Sequence, residues 1–181
     1  MNRDSMTLKL KRTPGLYLVG FMASGKTTVG GLLADELGWC FVDIDREIET
    51  REGKTIAQIF EERGEAGFRE IESSVLAAHV AQVRSGNPCV VAVGGGAFAQ
   101  PRNWDIVENN GITVWLDCPL DRIHARLGDM DKTRPLSLDR KAMVELFELR
   151  RPLYSRADFH VDANCDHPSQ VVQQILDLPI F

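Results

Sequence analysis

The residues with the clearest chemistry lie together in Gly20-Phe21-Met22-Ala23-Ser24-Gly25-Lys26-Thr27-Thr28. The spacing Gly-x-x-x-x-Gly-Lys-Thr is that of a loop whose backbone N–H groups converge on a phosphate chain. Lys26 would reach the β- and γ-phosphates, and the Thr27 hydroxyl would ligate the Mg²⁺ that bridges them. Such a loop works only between a strand and a helix, and both are legible. Gly15-Leu16-Tyr17-Leu18-Val19 is a short apolar strand. Val29, Leu32, Leu33 and Leu37 then keep one helical stripe, with Gly38 placed as a C-terminal cap. A helix opening near Gly25 adds its positive end to the anion site. The stretch predicts a bound nucleoside triphosphate.

Further groups follow at the ends of later elements. Trp39-Cys40-Phe41-Val42 reads as a buried strand running into Asp43-Ile44-Asp45. Continued in extended form, it would point both carboxylates the same way, one toward Mg²⁺ through a water and the other toward an acceptor hydroxyl. The alternative is that Asp45 caps the helix that follows. Residues 51 to about 84 read as two helical pieces separated by glycines. They carry Arg69, a planar fork suited to a carboxylate or to an i,i+4 pair with Glu65. Cys89-Val90-Val91-Ala92-Val93 is a buried strand ending in Gly94-Gly95-Gly96, where backbone can approach a ligand closely. Ile112 to Leu116 and Phe159 to Asp162 are two more strands. Leu120, Ile123 and Leu127 mark a helix, and residues 168–178 a closing one. Between Gly128 and Ser137 no apolar period exists, so Arg134 sits on a loop able to close over phosphates. Arg150 continues the apolar stripe of Met143, Leu146 and Phe147, which points it into a cleft, whereas Arg151 lies about 100° round the helix.

Composition sets the outer limits. The chain has 181 residues, 44% apolar and 26% charged, with a formal net charge of −5. That suits one soluble domain and disfavours a non-specific nucleic-acid or anionic-membrane binder. Cys40, Cys89, Cys118 and Cys165 are widely spaced, as are the four histidines, and are expected to be structural. Residues 1–14 are polar and basic without an apolar signal-peptide core, and are expected to form a loose tail. No nucleic acid or membrane partner, a cytoplasmic location and a monomer are expected.

Strand–helix alternation after a phosphate loop implies an α/β protein with a mostly parallel sheet between two helical layers. With these residues in hand, the chain after Pro14 resembles the shikimate kinase family. The resemblance is carried by the 20–30 loop and helix start, Phe41-Val42-Asp43-Ile44-Asp45-Arg46-Glu47-Ile48-Glu49, and Ile59-Phe60 with Gly64-Glu65-x-x-Phe68-Arg69-x-x-Glu72. Gly94-Gly95-Gly96, Arg134-Pro135-Leu136 and Arg150-x-Pro152-Leu153-Tyr154 complete it.

The resemblance implies a three-layer α/β/α P-loop kinase fold for residues 15–181, with five parallel strands in order 2-3-1-4-5. An acceptor-binding subdomain would span about 44–75 and a lid about 128–138. The implied reaction moves the γ-phosphoryl group of ATP to the 3-hydroxyl of shikimate, with Mg²⁺. Ala23, Ser24, Gly25, Lys26, Thr27, Thr28, Arg126 and Arg134 would bind ATP, Arg126 lying against the adenine. Thr27 and, through water, Asp43 would hold the metal. Asp45, Arg69, Gly94, Gly95, Gly96 and Arg150 would bind shikimate, and Lys26, Asp45 and Arg134 would carry catalysis. Kinases of a sugar acid or nucleoside monophosphate, and a nucleotide-binding protein without transfer, are the other readings. Three positions depart from the family pattern. Ala23 replaces a usual glycine and is expected to fit the phosphate turn without strain. Ser137 replaces a leucine, and the Arg126–Arg134 spacing is one residue longer than the family's.

Overall fold

A computed structural model describes residues 15–129 and 140–180. The tail at 1–14, nearly all of the lid, Arg134 and Ser137 therefore lie outside the described residues. Five strands, β1 (Gly15–Val19), β2 (Cys40–Asp43), β3 (Cys89–Ala92), β4 (Ile112–Asp117) and β5 (Phe159–Asp162), form one sheet in the order β2-β3-β1-β4-β5. Every neighbouring pair is parallel. The helices are α1 (Lys26–Leu37), α2 (Ile44–Glu52), α3 (Ile56–Arg84), α4 (Pro101–Glu108), α5 (Leu120–Asp129), α6 (Arg140–Tyr154) and α7 (Pro168–Leu176). Parallel strands need crossovers, and the helices that supply them pack on both faces, α1 with α7 and α3 with α4.

The three inner strands are built for burial. Leu16, Tyr17, Leu18 and Val19 are fully inaccessible, as are Val90, Val91, Ile112, Val114 and Leu116. Glycine brings α1 close to the sheet, because a Cβ on Gly30 would lie 2.5 Å from the Phe41 ring. Gly38, at φ 64°, caps α1 with its N–H on the carbonyls of Ala34 and Asp35.

Several expectations are corrected. β2 is not a buried strand: it lies at the sheet edge, and Cys40 is exposed. Edge position follows from strand order, which an apolar run does not encode. Leu32 is 42% exposed, so the buried side of α1 is Val29, Gly30, Leu33 and Ala34. The segment after Asp43 is not extended but turns at once into α2. Its cap is Asp43 rather than Asp45, with the Asp43 side chain accepting from the N–H groups of Asp45 and Arg46. The two helical pieces expected in this region are present, since α3 is divided by a kink at Gly64, whose φ of 66° and ψ of −178° are not helical. The helix α4 has no counterpart in the sequence reading, although Pro101 at its start and Trp104 and Val107 on its buried side are ordinary helix signals. Among the described residues no helix is long and apolar enough to cross a membrane.

Candidate active site

The loop between β1 and α1 is shaped by its glycines. Gly20 has φ 143°, and a side chain there would strike the Leu116 carbonyl oxygen at 2.8 Å. Gly25, at φ 104°, turns the chain into α1. Lys26 folds back over the loop and donates to the carbonyls of Gly20 at 2.9 Å and Phe21 at 2.8 Å. The buried Ser24 hydroxyl has no partner. A glycine-shaped loop at a helix N-terminus, with a lysine folded over it and a spare hydroxyl, can take an anion. Ala23 contradicts the expectation of an unstrained fit. Its φ of 56° is the single positive value among described non-glycine residues, a left-handed conformation that costs an L-residue about 1–2 kcal/mol.

Thr27, in the first turn of α1, donates its hydroxyl to Asp43 Oδ2 at 2.5 Å. The hydroxyl comes from the helix after β1 and the carboxylate from the C-terminal end of β2. Both are oxygen donors, the chemistry a hard divalent cation selects. Among the described residues no group of three or more His, Cys, Asp or Glu side chains could hold a metal alone. Any cation here would therefore draw most of its ligands from phosphate and water. Arg126, on α5, donates to the Ala23 carbonyl at 3.0 Å and so lies against the outer side of the loop. Arg122, one turn earlier, ties down the segment after β5 through Asn164, Cys165 and Asp166.

The opposite wall is built around α3. Arg69 donates to Glu72 Oε2 at 2.8 Å and to Glu65 Oε1 at 3.3 Å. These two carboxylates are not equivalent. The side chain of Glu65 is 69% exposed, whereas that of Glu72 is 1% exposed. Burial pushes the Glu72 carboxyl up from its ordinary value and Asp45 adds to this, while Arg69 and Arg150 pull the other way. Burial alone would lower Arg69, but the two carboxylates outweigh it and hold the guanidinium firmly protonated. Its buried Nε remains without a partner. A fork pinned on one side with a free donor on the other can receive a carboxylate. Arg150 enters from α6, close enough to pull down both the Glu72 carboxyl and the buried Tyr154 phenol one helical turn on. Arg151 instead pairs with Asp117 and lies over Trp115. Neither Glu72 nor Tyr154 stands out as a site residue in the sequence.

The three glycines after β3 join both walls. A Cβ on Gly94 would lie 2.8 Å from Asp45 Oδ1 and 2.9 Å from Glu72 Oε1. One on Gly95 would lie 3.1 Å from the Met22 nitrogen in the phosphate loop, and one on Gly96 would lie 2.6 Å from Arg69 Nη2. Each glycine makes room for a different functional group. The structure thus brings Lys26, Thr27, Asp43, Asp45, Arg69, the glycines, Arg126 and Arg150 to the C-terminal edge of the sheet, where open α/β sheets hold their ligands.

Comparison with known proteins gives one consistent result. The profile of the shikimate kinase family matches residues 22–178. Shikimate kinase from Persephonella marina is 43% identical over 161 residues, spanning 89% of this chain and 96% of its own. That from a Nostoc species is 46% identical over 165 residues, spanning 89% and 88%. Among solved structures, shikimate kinase from Acinetobacter baumannii in complex with shikimate superposes with a TM-score of 0.85 at 38% identity, covering 95% of this chain and 96% of that one.

Proposed function

The chain belongs to the shikimate kinase family, and on that premise we propose how its cleft divides the work of phosphorylating shikimate with ATP. The loop 20–28 holds the triphosphate. Ser24, the amides of Gly25 and its neighbours, and Thr28 surround it, and Lys26 leaves the Gly20 and Phe21 carbonyls for the β- and γ-phosphates. Arg126 flanks the adenosine side. Thr27 and, through a water, Asp43 would hold a Mg²⁺ bound with the nucleotide, which would supply charge neutralisation at the phosphates. Arg134 would meet the transferring group from the lid at 128–138.

On the acceptor side, the subdomain 44–75 supplies Asp45, which orients the acceptor hydroxyl, and Arg69. Arg69 and Arg150 grip the carboxylate of shikimate, and residues 94–96 line its ring. Phosphoryl transfer asks the protein for position and charge more than for covalent chemistry, and the cations gathered here supply both. The carrying observation is that one glycine segment abuts the phosphate loop at Met22, the Asp45 carboxylate and the Arg69 fork together. Donor and carboxylate-binding groups therefore share a single cleft. The test is the product. With shikimate, ATP and Mg²⁺, phosphorus NMR should show one phosphate ester coupled to the proton on C3. An ester at another carbon, or none, would contradict the assignment. A monomer in the cytoplasm, with no nucleic acid or membrane partner, completes the reading.

A further inference from the structure

Tyr154, the last residue of α6, is 2% exposed. Its hydroxyl donates to the Gly95 carbonyl, and Arg150 lies one helical turn earlier on the same helix, near enough to pull on the phenol's proton affinity. The ring rests 6.3 Å from that of Trp115, and Trp115 in turn borders Gly20 of the phosphate loop. Arg69 has a buried carboxylate, Glu72, to fix its fork. Arg150 reaches the cleft from α6, the helix whose end Tyr154 ties to the Gly95 carbonyl.

We propose that Tyr154 is a positioning residue for the acceptor. Its hydroxyl ties the end of α6 to the Gly95 peptide and so sets Arg150, one turn back on that helix, relative to the phosphate loop that Gly95 abuts. The inference rests on the proposed role of Arg150 toward the shikimate carboxylate. Gly95 has little room to move toward the phosphate loop, because even a Cβ there would lie 3.1 Å from the Met22 nitrogen. A helix end linked to that peptide inherits its register. Burial pushes the phenol up to about 12, against the opposing pull of Arg150 and Arg69. The hydroxyl therefore keeps its proton across the working range and remains a donor to Gly95.

Tyr154→Phe removes the hydroxyl and leaves the ring. The expected result is a KM for shikimate raised roughly tenfold, the scale of one lost hydrogen bond. The KM for ATP should stay within about twofold. Equal rises in both constants, or no rise in either, overturn the proposal. Arg150→Ala, run alongside, separates the two layers of the argument. If it leaves the shikimate KM unchanged, the acceptor role of Arg150 has failed and the proposal falls with it. If it raises the shikimate KM while Tyr154→Phe does not, Tyr154 alone loses its role.

A second measurement needs no mutation in the measured sample. The chain has two tyrosines. Tyr17 reaches Asn110 and sits beside Gly15 and Gly111, at the other end of the sheet. In protein labelled with 3-fluorotyrosine, shikimate should shift the fluorine line of Tyr154 and leave that of Tyr17 in place. An unmoved Tyr154 line at saturating shikimate overturns the proposal, even if the phenylalanine variant proves too unstable to assay.

Discussion

Replacing Gly96 by alanine adds one methyl group and reports on one contact. Gly96 does not lie in the left-handed region, so alanine can adopt its backbone without conformational penalty. The added carbon would stand 2.6 Å from Arg69 Nη2, 2.8 Å from Nη1 and 3.0 Å from Cζ. Unbonded heavy atoms of this kind rest at about 3.5–4.0 Å, so the guanidinium must retreat by about 1 Å. It cannot retreat freely, because Glu72 holds Nη1 at 2.8 Å and is itself buried. A fork displaced that far loses its aim at a carboxylate, a charged hydrogen bond worth about 1.5–3 kcal/mol. At about 1.4 kcal/mol per factor of ten, the KM for shikimate should rise by roughly ten- to a hundredfold. The KM for ATP should change by less than about twofold, since the methyl group faces Arg69 and not Met22. Steady-state ADP release with each substrate varied in turn measures both constants. Equal damage to both would mean that the methyl group disturbs the whole loop. An unchanged shikimate KM would mean that Arg69 does not bind the acceptor.

Three further outcomes are expected. Asp43→Asn should separate two roles of one side chain. Asparagine caps α2 as well as aspartate does, so the denaturant midpoint should correspond to a loss under about 1 kcal/mol. The Mg²⁺ concentration for half-maximal turnover should nevertheless rise several-fold, as the charge facing Thr27 is lost; an unchanged Mg²⁺ requirement would remove Asp43 from the metal site. Ala23→Gly should relieve the left-handed strain at φ 56°. After allowing for the greater freedom of glycine in the unfolded chain, it should stabilise by about 0.5–1 kcal/mol in urea titration, and a loss of stability would contradict the strain. Stability should also fall as pH rises from about 10 toward 12. Burial raises the Tyr154 phenol to about 12 and the Tyr17 phenol further, so the unfolded chain releases these protons first and alkali favours unfolding. Each phenol contributes about 1.4 kcal/mol per pH unit inside that window; urea midpoints that stay flat between pH 10 and 12 would contradict the burial of both hydroxyls.

What could be read from the sequence divides along a physical line. The phosphate loop was legible because strand, turn and helix are contiguous and each residue's task is local. The cap at Gly38 was legible for the same reason. Asp43 and Asp45 were recognised as a pair, but their geometry was not. A helix that opens immediately after Asp43 replaces strand alternation with a turn, and only the folded chain shows Asp43 serving as both cap and partner of Thr27. Glu72 stands three residues after Arg69, as Glu65 stands four before it, so spacing makes both look like partners on a solvated helix face. Packing alone tells them apart, with one side chain 69% exposed and the other 1%. Tyr154 closes the Arg150-x-Pro152-Leu153-Tyr154 motif, but its local sequence gives it no role, because the Gly95 carbonyl it reaches is 59 residues away. The edge position of β2 is likewise a property of strand order, which no window of β2 contains.

The central claim is that the acceptor is a hydroxylated carboxylic acid of one kind, chosen by the cleft containing Arg69, Arg150 and the 94–96 segment. ADP release in the presence of Mg²⁺, measured for shikimate, quinate, gluconate and AMP at matched concentrations, tests it most directly. The account predicts rapid turnover with shikimate and little above background with the other three. Turnover led by gluconate or AMP, or ATP binding with no transfer to shikimate, would contradict it.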